Sequence, residues 1–165
     1  MNIKRIFKHT LRTQWYLRKY FTTAALESIE KEIAQSETQH SGEIRFVVEG
    51  ALDGAPLFKD QSAHERALDI FSQLRIWDTQ NNNGLLIYLL LADHAVEIIA
   101  DRGINAKVDK NEWQTICRSM QSKFAQGNFH EGVVQAIRSV TKHLVEHFPV
   151  SAHDENELPN KPVVL

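Results

Sequence analysis

Two groups of residues in this chain have types and spacings suited to chemistry. The first is His143-Leu-Val-Glu-His147, which spells H-x-x-E-H, the inverzincin zinc pattern. Histidines four apart share one face of a helix. A zinc site still needs a third ligand, a carboxylate well downstream, and only 18 residues follow His147. The match is read as accidental. The second group lies at expected strand ends. Glu43 and Asn83 begin two parallel strands, and Asp101 and Arg102 follow an antiparallel one, so the three ends meet on one sheet edge. Glu43, Asp101 and Asp109 offer hard oxygens to a divalent cation such as Ca²⁺ or Mg²⁺, and Asn83 adds an amide oxygen. Arg102 suits a phosphate, and Ser41 is the nearest hydroxyl, without an evident base. That set corresponds to a metal-assisted phosphomonoesterase, in which the cation polarises the phosphate and activates water. The plain alternative is that Glu43 pairs with Arg102, Asp101 caps a turn and Asn83-Gly84 makes a bend. The opposite edge gathers Glu49, Asp53, Asp93 and His94, beyond the carboxyl ends of the parallel strands where ligands often bind, and ranks second. Cys117 falls in an apolar helical stripe and is expected to be buried and inert.

The elements that must position these groups follow from periodicity. Leu26, Ile29 and Ile33 predict a helix over 24–39, with Thr22 or Thr23 as N-cap. Ile44, Phe46 and Val48 alternate on one face of a strand over 43–49, and 50–59 reads as a loop. Ser62-Ala-His-Glu65 is a capping box, and it opens a helix to about 77 along Ala67, Ile70, Phe71, Leu74 and Trp77. The run Leu85 to Ala92, apolar on both faces, predicts a central strand over 84–92 covered on each side. Asp93-His94 turns the chain into a hairpin strand over 95–100. Asp109 to Glu112 resembles a second capping box, ahead of the stripe Trp113, Ile116, Cys117, Met120 and Phe124. Asn128 is expected to cap the last helix, whose apolar face runs from Phe129 to Phe148 before Pro149. A strand–helix–strand unit of this kind crosses over right-handedly. The fold class is α/β, a three-layer sandwich of a small mixed sheet with helices on both faces. Its divisions are a basic arm over 1–21, the α/β domain over 22–148 and a tail over 149–165.

Composition narrows the function classes. The chain has 165 residues, 42% hydrophobic and 24% charged, which suits one domain with a sizeable core. The longest apolar run has eight residues, too short to span a bilayer, and one cysteine excludes an internal disulfide framework. That cysteine usage is compatible with a reducing cytoplasm, the expected location. No glycine-rich phosphate loop follows the first strand. Six of the 19 basic residues (Lys4, Arg5, Lys8, Arg12, Arg18 and Lys19) lie in the first 20, with no acid before Glu27; the rest therefore holds 13 basic against 21 acidic residues, a balance of −8. Ile3, Phe7, Leu11 and Trp15 give this arm a drifting apolar stripe. A helix folded onto the domain is the first reading, docking on an anionic membrane surface or membrane protein the second. Nucleic acid is not an expected partner, since the remainder is acidic.

The strands also carry a resemblance. Ser41-Gly-Glu-Ile-Arg-Phe-Val-Val48, Asn82-Asn-Gly-Leu-Leu-Ile87 and Val96-Glu-Ile-Ile-Ala-Asp-Arg-Gly103 resemble successive signature strands of the TPM domain, and Phe124-Ala-Gln-Gly-Asn-Phe129 with Gly132 resembles that family's last helical pair. The likeness covers about 40–147. It implies the sandwich fold, acid phosphatase activity as in a thylakoid-lumen relative, and divalent metal binding as in some members. Many bacterial members carry a signal peptide and a C-terminal span. This chain is more similar to a compact bacterial subgroup that begins with a basic arm.

Overall fold

The structure, a computed structural model, describes residues 3–150 and 155–165, the side chains of 3, 4 and 10–15 excepted. Its sheet grows from the two most apolar segments. β1 (Glu43–Glu49) and β2 (Gly84–Leu90) pair in parallel, Glu43 opposite Gly84 through Glu49 opposite Leu90. All seven residues of each strand are buried, as a sheet covered on both faces requires. β3 (Ala95–Ala100) returns antiparallel beside β2, with Leu85 opposite Ala100. His94 takes a left-handed conformation in the turn between them (φ 52°).

Helices cover both faces. They are α1 (Ile3–Tyr20), α2 (Thr23–Glu37), α3 (Gly54–Phe58), α4 (Ala63–Gln73), α5 (Arg102–Asn105), α6 (Lys110–Ala125) and α7 (Phe129–His147). Strand alternation divides the core. Ile44, Phe46 and Val48 with Leu85, Ile87 and Leu89 meet α2, α6, α7 and the end of α1. Val47, Leu86, Tyr88 and Leu90 meet α3, α4 and Ile76. The fold is therefore the expected α/β sandwich with its parallel crossover and hairpin.

Several details differ from the expectation. Within the expected tail 149–165, residues 155–165 pack back on the domain. The segment's end forms β4 (Val163–Val164), parallel to β1, with Val47 opposite Val163, so among the described residues the sheet has four strands in the order β3-β2-β1-β4. The expected loop 50–59 contains the short helix α3. α4 stops at Gln73 because Arg75 turns left-handed (φ 52°); Ile76 is then buried while Trp77 is 49% exposed and off the expected core face. The Ser62–Glu65 capping box forms with both reciprocal bonds. Asp109 accepts from Asn111 N–H without completing a box, and Asn128 makes no side-chain cap. Gly84 is required where β2 begins, since a Cβ there would lie 1.9 Å from the Ile76 carbonyl oxygen.

α1 packs on the domain through its second half. Leu17 and Phe21 are buried, and Tyr20 stacks on Phe129 with ring centroids 4.1 Å apart. Its first half is pinned by polar contacts. Arg5 and the fully buried His9 both reach Asp93.

Candidate functional site: the two edges of the sheet

At the edge where β1 and β2 begin, the structure separates the residues expected to meet. Glu43 is 4% exposed, and its two carboxylate oxygens accept from the backbone N–H groups of Glu157 (3.0 Å) and Leu158 (3.1 Å). It therefore holds the C-terminal segment and makes no pair with Arg102. Asp101 caps α5: Oδ1 accepts from Arg102 N–H at 2.7 Å, and Oδ2 is buried without a partner. Asp101 lies opposite Gly84, giving its carbonyl a hydrogen bond, and so shares the Glu43 face of the sheet. Asn83 precedes Gly84 and falls on the other face by strand alternation. Its amide donates to the Ser41 carbonyl, while its Oδ1 is buried and unpartnered. Asp109 is exposed and occupied as the cap of α6. Arg102 is exposed, with Nε donating to Asn82 Oδ1 at 2.8 Å, and the Ser41 hydroxyl points to the Phe148 carbonyl at 3.4 Å.

A hard cation such as Ca²⁺ takes six to eight oxygens, and Mg²⁺ demands an octahedron. Glu43, Asn83, Asp101 and Asp109 do not form one such sphere, because each of the three carboxylates accepts from a backbone amide and Asn83 lies on the opposite face. Asp101 Oδ2 is buried without a donor, and so is Glu37 Oε2. Among the described residues no group of three or more His, Cys, Asp or Glu could hold a metal ion. In the H-x-x-E-H segment the His143 ring packs edge-on against Trp113, with Glu112 3.8 Å away.

Residues that the sequence did not single out form a buried polar layer beneath the C-terminal segment. Glu37 accepts from Ile44 N–H at 3.0 Å, and Arg45 donates to the Lys161 carbonyl at 3.1 Å. Burial, reinforced by the neighbouring Glu43, pushes the Glu37 carboxyl up to about 8, and burial lowers the Arg45 guanidinium below its ordinary value.

Ser36 and His40 form a second pair with catalytic looks, Oγ to Nε2 at 2.9 Å. The tautomer rules it out as nucleophile and base. Nδ1 accepts from Gly42 N–H, so neutral His40 carries its proton on Nε2 and donates to Ser36. The relay continues from Ser36 to Thr141 Oγ1 (2.8 Å) and from Thr141 to the Ile137 carbonyl (2.7 Å). Every donor is used in one direction. Burial lowers His40 to about 4, which keeps it neutral.

At the opposite edge Asp93 is a structural anchor. Arg5 grips its Oδ2 through Nε (3.0 Å) and Nη2 (2.7 Å). His9 takes a hydrogen bond from Leu52 N–H on Nδ1, which leaves Nε2–H to donate to Asp93 Oδ1 at 2.9 Å. Burial raises the Asp93 carboxyl, but these bonds outweigh it and hold the group below its ordinary value. Glu49 is bound by Arg66 through two 2.9 Å bonds and by the Tyr88 hydroxyl at 2.6 Å. Asp53 precedes α3 without a side-chain cap, and His94 is exposed. Cys117 is half-buried, and burial raises its thiol to about 12, which leaves it unreactive at neutral pH.

The arm has two kinds of cation. Arg5 is committed to Asp93 and Asp60, whereas Arg18 and Lys19 are exposed and Lys8 is half-buried. The side chains of Lys4, Arg12 and Trp15 lie outside the described residues. Phe7 on α1 is 65% exposed and Phe58 on α3 is 61% exposed. The Arg5–Asp60 ion pair (2.9 Å) joins α1 to the turn that follows α3. Among the described residues no helix is long and apolar enough to cross a membrane.

A family model, TPM domain, matches residues 17–143. Among solved structures, the BA42 protein of the psychrophilic bacterium Bizionia argentinensis is 32% identical with a TM-score of 0.77, covering 88% of this chain and 96% of that one. The N-terminal domain of a protein from P. gingivalis shares the fold at 20% identity and a TM-score of 0.65, covering 80% and 83%. No curated protein matches the chain.

Proposed function

The chain belongs to the TPM domain family, and from that premise we infer that it is a non-catalytic interaction module that docks on an anionic membrane surface through α1 and α3. The observation that carries this reading is two large exposed rings, Phe7 on α1 and Phe58 on α3, on helices linked through the Arg5–Asp60 ion pair, with Arg18 and Lys19 exposed further along α1. Aromatic side chains insert shallowly at a bilayer interface, and nearby cations contribute on the order of 1 kcal/mol each against anionic lipid. The test is co-sedimentation with vesicles of phosphatidylcholine, with and without phosphatidylserine. Binding is expected only with phosphatidylserine and is lost at high salt, as screening requires. Phe7→Ala/Phe58→Ala and Lys8→Glu/Arg18→Glu each weaken it. Equal recruitment to neutral vesicles, or recruitment indifferent to both double variants, overturns the reading.

A second reading keeps a divalent cation at the Asp101 edge, favoured by the buried and unpartnered Oδ2. Titration with Ca²⁺ and with Mg²⁺ is then expected to shift the backbone amides of Asp101 to Gly103, and Asp101→Asn to remove the response. No shift with either ion ends this reading. Phosphate-ester hydrolysis has less support, because Ser41 has no base beside it.

A further inference from the structure

The two long edges of this sheet are unequal. Outside β1 lies β4, contributed by the chain itself, but among the described residues no strand pairs with the outer side of β3. The register says which groups are left there. Asp101 N–H bonds the Gly84 carbonyl, so in this antiparallel ladder the odd residues of β3 face β2 and the even ones point away. Ala100 confirms the direction, since its carbonyl is taken from outside by Asn105 Nδ2 at 2.6 Å. Among the described residues, the Val96 N–H and carbonyl, the Ile98 carbonyl and the Ala100 N–H have no protein partner.

These groups form the floor of a groove of about 900 Å³, with α4 on one wall and α6 on the other. The α4 wall presents Leu68, 45% exposed, and His64, which is bonded to Glu97 at 3.0 Å. The α6 wall presents Trp113, Lys110 and Arg118. Trp113 is buried and its Nε1–H has no acceptor. Lys110 and Arg118 have no carboxylate within ion-pair distance among the described residues. Natural edge strands are usually protected by charge, proline or a bulge. β3 has one charged residue, Glu97, and His64 partners it.

We propose that the β3 edge groove binds an extended acidic peptide segment of a partner protein, which adds to the sheet as a further strand. Main-chain bonds to Val96, Ile98 and Ala100 supply the pairing, and acidic side chains on one face of the peptide meet Lys110 and Arg118. A second copy of this chain is a poorer occupant. Antiparallel pairing of two β3 strands about a two-fold axis sets the Lys110–Arg118 walls side by side on one face, where like charges repel. This inference is independent of the membrane reading, which uses α1 and α3.

The test uses the full chain and a phage-displayed random heptapeptide library. Enriched peptides are expected to alternate Asp or Glu with β-branched residues. Their saturation slows hydrogen exchange at the Val96 and Ala100 amides. Lys110→Glu/Arg118→Glu, both on exposed helix surface, should weaken binding by ten-fold or more. Val96→Pro removes an outward N–H and no β2–β3 bond and should do the same; because the Val96 side chain is buried in the core, the fold of this variant is checked by circular dichroism. A peptide N-methylated at alternate residues tests the same point on intact protein. No enrichment, enrichment of basic peptides, or binding unaffected by these changes overturns the proposal. So does a dimer in sedimentation that Val96→Pro converts to monomer, since the occupant is then a second copy.

Discussion

His40 and Glu37 are neighbours in sequence whose burial acts in opposite directions of pH. His40 is lowered from 6.5 to about 4, so its contribution is complete above 6.5 and is lost as pH falls toward 4. Glu37 is raised from 4.5 to about 8, so its contribution is complete below 4.5 and is lost as pH rises through 8. Glu37→Gln keeps an oxygen for the Ile44 N–H without the buried charge. It is expected to raise the melting temperature more at pH 8 than at pH 5, measured by circular dichroism. Ser36→Ala breaks the relay between α2 and α7 and leaves buried partners unpaired, at a cost of about 1–3 kcal/mol in denaturant unfolding. Neither residue was legible in the sequence. Ser36, Glu37 and His40 sit where helical periodicity ends and no strand pattern has begun, and their partners Thr141 and Ile44 belong to other elements.

Among elements, those that bury one face over several residues were readable: β1 from Ile44, Phe46 and Val48, β2 from its apolar run, and α4 from its capping box. β4 was not, because two paired residues after Pro162 are too few for alternation to register. The partners of the candidate site residues were hidden for the same reason. Composition marked Glu43 as an available carboxylate, but its partners are amides at 157 and 158, more than a hundred residues away. Glu43→Gln therefore acts on the C-terminal segment. It is expected to cost about 2 kcal/mol, in the range for hydrogen bonds to a charged group, and to expose residues 155–165 to limited proteolysis at native conditions. Unchanged protease resistance at that end would show that Glu43 does not hold it.

Across the whole molecule, α1 is part of the core as well as the carrier of the exposed Phe7. Leu17 and Phe21 pack with Phe46 and Phe129, with Phe21 and Phe46 centroids 5.9 Å apart. Removal of residues 1–21 is expected to uncover this cluster, seen as increased dye binding and aggregation. A truncated domain that stays monomeric with an unchanged melting temperature would show the helix to be dispensable. Membrane recruitment is accordingly better tested by surface variants than by deletion.

The pairing of Val47 with Val163 has a kinetic meaning. A contact between residues so far apart in sequence closes a very long loop, and such contacts tend to form after the rate-limiting barrier. Interactions absent from the transition state govern how fast a protein comes apart, with little influence on how fast it assembles. In stopped-flow experiments, loosening the Glu43 latch should steepen escape from the native state while the refolding limb stays nearly superimposed. On this view the last strand serves chiefly to lengthen the lifetime of the native sheet.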